Sequence, residues 1–124
     1  MNRESISEED FNTFQESSVS DDTKEAAAAN INKGLALEDA FDTPQGKLLT
    51  RDVDSVLIEN LGKIMAFKHN ADLSIEQNYN NIQSLILEYS VASKVKARWE
   101  SILRTKANSL KRMKIVANKG RNGG

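Results

Sequence analysis

The chain has 124 residues, 39% of them hydrophobic and 28% charged, which suits one compact domain and is too rich in Leu, Ile, Val and Met for wholesale disorder. It has no cysteine and one histidine, which excludes zinc fingers, iron–sulfur clusters, disulfide scaffolds and thiol chemistry. The formal net charge of −1 hides a gradient: residues 1–46 hold 3 Lys or Arg against 11 Asp or Glu, residues 47–93 hold 4 against 6, and residues 94–124 hold 10 against 1.

Residues 1–20 are rich in Ser, Glu and Asp and poor in aliphatic side chains. The composition predicts a flexible, disordered acidic arm, because little apolar burial offsets the entropy of ordering. Within it, Ser7 followed by Asp10 reads as a helix cap ahead of Phe11 and Phe14, which share a helical face and form the alternative, a docking motif that folds on binding. The arm starts acidic, with no apolar core of a signal peptide, and no apolar run approaches the ~18 residues of a membrane span. A cytoplasmic, soluble protein is the expectation.

Ala26–Ala29 is a run of the strongest helix former, and Gly34 follows as a C-terminal stop, so a short helix is expected near 21–33. Thr43 before Pro44 supplies a capping hydroxyl and a proline at the first helical position, opening a helix near 44–69. Leu49, Val53, Leu57, Leu61, Ile64 and Met65 give it an apolar stripe at spacings of three and four. Gly62 costs that helix about 1 kcal/mol and marks a close helix contact. His69 sits near its end, where the helix dipole favours a cation.

Ser74 and Gln77 form a capping box, and no Gly or Pro follows until Gly120. Ile82, Leu85, Tyr89, Ala92, Lys96, Trp99, Leu103, Lys106, Leu110, Met113 and Ala117 alternate at +3 and +4, a heptad seam with lysines at two of its positions. The helix is expected over 75–118, with its weakest stretch at 90–93 and a flexible basic tail over 119–124. A link this short predicts an antiparallel hairpin.

The expected fold is therefore all-α: an acidic arm (1–20), a helical domain (21–118) with a hairpin whose second helix overhangs the first, and a tail. The unmatched stretch from Trp99 onward keeps apolar side chains that need cover. The Ala-rich helix, a partner or a second copy are the options. Homo-oligomerisation through Trp99, Leu103, Leu110 and Met113 is the one expected here.

Little in the chain points to catalysis or to a cofactor. The lone histidine has no second His or Cys to complete a metal site. Glu38, Asp39 and Asp42 are clustered carboxylates without the loop glycine and spacing of a calcium site. Thr43-Pro44-Gln45-Gly46-Lys47 lacks the first glycine and the final Ser/Thr of a phosphate loop. None of the serines lies in a nucleophile elbow. The one functional signal is basic. Lys94, Lys96, Arg98, Arg104, Lys106, Lys111, Arg112 and Lys114 crowd one helix, a pattern that tracks phosphates of a nucleic acid or meets an acidic protein surface. Trp99 reads either as a base-stacking side chain or as core. An enzyme is not expected.

An acidic stretch over Glu4–Glu16 and a basic helical one over Leu103–Lys114 resemble the layout of small accessory proteins of tailed bacteriophages, such as scaffolding proteins and terminase small subunits. The resemblance implies a role in assembly or packaging, in the host cytoplasm or the virion. In that role the same helix works as a nucleic-acid contact or as a scaffold, adaptor or inhibitor of a larger complex.

Overall fold

A computed structural model describes residues 5–121. All of its regular structure is helical: α1 (Glu8–Gln15), α2 (Asp21–Phe41), α3 (Pro44–Met65) and α4 (Ile75–Arg121). The chain divides into two compact units. Unit 1 combines the segment up to Asp39 with the segment from Glu100 onward, and unit 2 is Ala40–Trp99.

The helix starts follow from local chemistry. Ser7 Oγ accepts from the Asp10 amide at 3.1 Å, and Ser20 Oγ accepts from the Thr23 amide at 3.2 Å. Thr43 Oγ1 accepts from the Gly46 amide at 3.0 Å, with Pro44 at the first helical position. Ser74 and Gln77 serve each other reciprocally: the Gln77 amide donates to Ser74 Oγ at 3.0 Å, and the Ser74 amide donates to Gln77 Oε1 at 2.9 Å. Each bond satisfies an amide that a helix start otherwise leaves unpaired.

In unit 1 the core is Phe14 of α1, Ala27 of α2 and Met113 of α4, with Ile6, Val19, Ile31 and Val116 packed around them. The arm is thus not disordered over Glu8–Gln15: Phe14 is 1% exposed, and its burial holds α1. Lys24 Nζ donates to the Gln15 and Ser17 carbonyls at 2.7 and 2.8 Å, placing a cation at the negative end of α1. The first four residues of the arm lie outside the described residues.

Gly34 does not stop α2, which runs on to Phe41. Gly34 is buried, and a Cβ built there would lie 2.5 Å from Lys106 Cβ. The glycine brings α2 close to α4, and tertiary contact overrides its habit of ending helices. Gly34→Ala is expected to lower the stability of the chain by about 1–2 kcal/mol, overpacking outweighing the better helix propensity of alanine, as read from the urea midpoint at unchanged slope.

In unit 2, Asp54 pairs with Lys96 at 2.7 Å. Buried Asn60 donates to the Leu85 carbonyl at 3.3 Å and to Glu88 Oε2 at 2.9 Å. Numbers rise on α3 as they fall on α4, so the two helices run in opposite senses. α3 stops at Met65, four residues before the expected end. The segment after it is fastened instead by buried Asn78, which accepts from the Asn70 amide at 2.8 Å and donates to the Asn70, Leu73 and Ser74 carbonyls at 2.9, 3.4 and 2.9 Å. His69 accordingly sits exposed in the connection and caps no helix. Gly46 is required at the α2–α3 corner, where a Cβ would meet the Ala40 carbonyl oxygen at 1.9 Å.

α4 shows no break at 90–93: Ala92 is buried and Ser90 and Ser93 are half-buried, so small side chains serve packing there. It also continues through Lys119 and Gly120, with Gly120 beside Thr13 of α1. The expected flexible tail is therefore helical at its start, and residues 122–124 lie outside the described residues. Among the described residues no helix is long and apolar enough to cross a membrane.

Candidate nucleic-acid interface

The basic residues of α4 do not form one set. In unit 1, Arg104, Lys111 and Arg112 are exposed and Lys114 is half-buried. At ~100° per residue, Arg104 and Lys111 lie within about 20° of each other and on the side away from Lys106. Ala107, Asn108, Lys111 and Lys114 line a shallow concavity of about 390 Å³, which brings two ammonium groups and an amide to one depression. Glu100, the one acid in residues 94–124, stands a turn before Arg104 and bounds the patch. Ile115, 47% exposed, lies among these cations as an apolar element.

Lys106 is no phosphate contact. It is buried and bonded to Glu38 of α2, because a seam position turns it inward. Glu38 is spent in the same pair, which takes it from the Glu38, Asp39 and Asp42 carboxylate cluster. Among the described residues no three His, Asp or Glu side chains gather as a metal site.

The proposed self-association residues fare similarly. Leu110 is buried and Met113 is fully enclosed, while Leu103 is half-buried. α1 and α2 supply the cover within unit 1, so this stripe is not open to a second copy. Phe14 is likewise core, and Phe11, partly exposed, is what remains of the docking motif. In unit 2, Lys94 and Arg98 are exposed and Lys96 bridges to Asp54. Trp99 meets Phe41 edge to face, with ring centroids 5.1 Å apart at 74°, so its ring serves aromatic packing.

The Glu38–Lys106 pair escaped sequence reasoning, although a lysine on a seam was itself the signal: a buried cation requires a counter-charge. The polar anchors Asn60 and Asn78 had no comparable signal. Comparison with protein-family models, with curated proteins and with solved structures found no match.

Proposed function

We propose that this chain is a non-catalytic helical binding and assembly protein that contacts nucleic-acid phosphates through α4. The observation that carries the reading is the grouping of Arg104, Lys111, Arg112 and Lys114 on the outward side of a helix whose inward side is closed by the core. Such an array neutralises phosphates without reading base edges, so binding is strong at low salt and sequence-tolerant. Lys94 and Arg98 are phosphate contacts in their own right. The architecture that goes with the reading is an antiparallel α3–α4 hairpin in which α4, 47 residues against 22, outruns its mate. A cytoplasmic setting, or a virion for a phage-encoded chain, follows from the layout resembling phage accessory proteins.

The test is fluorescence anisotropy with generic duplex and single-stranded DNA at two salt concentrations. Wild type is expected to bind at low salt. Lys111→Glu with Arg112→Glu is expected to weaken binding at least about tenfold and to reduce the log–log salt slope by about 2, at ~0.9 per phosphate contact. Absence of binding at low salt overturns the reading, and unchanged affinity of the double variant overturns the site.

Ile115 favours a second reading, in which the patch meets an acidic protein surface as an adaptor, scaffold or inhibitor. An apolar side chain ringed by cations is the arrangement of a protein interface. Ile115→Ala separates the two: it weakens a protein complex and leaves phosphate binding unchanged.

A further inference from the structure

Unit 2 exposes more apolar surface than a pair of helices has reason to carry. On α3, Ile58, Leu61 and Met65 are 74%, 43% and 80% exposed; on α4, Ile75, Tyr79 and Ile86 are 82%, 60% and 44% exposed. The α3 residues fall within about 60° of arc and the α4 residues within about 40°. None of these is a residue of the contacts that join the two helices, where Asn60 meets Leu85 and Glu88. Each helix therefore has two apolar seams, one used within the chain and one unused.

In a pair running in opposite senses, the unused seams fall on the same flank. Matching Asn60 to Glu88 and Asn70 to Asn78 sets Ile58 level with about residue 90, so the strip from there to Ile75 covers about 15 residues, or ~23 Å. At on the order of 100 Å² per side chain it exposes ~600 Å². That is at the upper end for the largest patch of a monomer, and close to the ~800 Å² each partner contributes to a stable interface.

Gly62 supplies an independent observation. It lies on α3 between Ile58 and Met65, it is exposed, and a Cβ added there would meet nothing within 4 Å. A mid-helix glycine weakens a helix, and here no neighbour in the chain requires it. Gly34, whose Cβ would collide with Lys106, shows the contrasting case. A glycine in the middle of an apolar strip fits the close approach of a helix from outside.

We infer that this flank of α3 and α4 is the interface with a second copy of the chain, the two helix pairs closing into a four-helix bundle. Two seams per helix are what a bundle needs and a lone pair does not. The strip is uncharged, Gly62 included, so it meets its own image without like-charge repulsion. The opposite flank offers a groove of about 490 Å³ lined by Val53, Val56, Leu87, Val91 and Val95, but Asp52 and Glu88 lie in it. A second copy seated there would have to desolvate those carboxylates.

Sedimentation velocity of the full chain across micromolar concentrations tests the inference, with nucleic acid absent so that its failure and that of the basic patch are separable. Wild type is expected to sediment as a dimer. Ile58→Glu with Met65→Glu, both at exposed positions, is expected to weaken dimerisation by about a hundredfold or more while circular dichroism stays helical. Gly62→Leu is expected to dissociate the dimer too, although its side chain meets no obstacle in the single chain. A wild-type monomer at 200 µM (a concentration on the order of weak-interface affinities) overturns the inference and leaves the strip to a partner of other sequence. A dimer that survives both variants overturns the assignment of the surface.

Discussion

Phe14→Ala is expected to release α1 from unit 1. Phe14 is the one side chain of α1 that is fully enclosed, and truncating a buried phenylalanine costs about 3–5 kcal/mol. Eight residues do not hold a helix by themselves in water, so the docked state and the helix are lost together. Amide hydrogen exchange reads the result: protection over 11–16 falls to that of a free peptide, while α3 keeps its protection. Phe11→Ala is the internal comparison, since its partly exposed ring is expected to cost under ~1 kcal/mol. Full protection of α1 in the Phe14 variant would show that Lys24 and the cap at Ser7 hold it instead.

The second large effect concerns Glu38 and Lys106. Removing one partner of a buried ion pair leaves the other uncompensated and costs about 3–5 kcal/mol, whereas replacing both with apolar groups of similar size is neutral or stabilising. Glu38→Leu alone and Lys106→Met alone are each expected to lower the urea midpoint steeply. The double variant is expected to recover wild-type stability or exceed it. A double variant that loses the sum of the two single losses, with no coupling between them, would mean that the pair acts through packing of its methylene stems alone.

How far the fold was legible follows from what each residue depends on. Thr43–Pro44 and Ser74–Gln77 announce helix starts because a cap is a contact between residues three apart. The long period from Ile82 to Ala117 announces α4 for a similar reason: packing repeats with the helix. Gly34 misled because its local tendency is to end a helix, and only the approach of Lys106 reveals why it persists inside one. The arm over 1–20 misled for the converse reason. Its average apolar content is low, yet one phenylalanine opposite Met113 and Ala27 suffices. Of the basic set, the outward members were legible as charge. Lys106 is legible as a seam residue, and its burial against Glu38 separates it from the outward cations. The stripe of Leu110 and Met113 needs cover by its composition, and α1 and α2 provide it because those helices too have apolar sides that must be buried.

Asn78 has a consequence beyond its own four hydrogen bonds. By gripping the backbone from Asn70 to Ser74 it immobilises the bend beyond Met65 and the first turn of α4, the neighbourhood of Met65, Ile75 and Tyr79. Rotamer and backbone freedom there are surrendered when a single chain folds, not when two molecules meet. An encounter then begins from a surface already in its final shape, and less of the gain from contact is consumed in arranging it. Among the described residues, the two most exposed large apolar side chains, Ile75 and Met65, thereby flank a bend that Asn78 fastens.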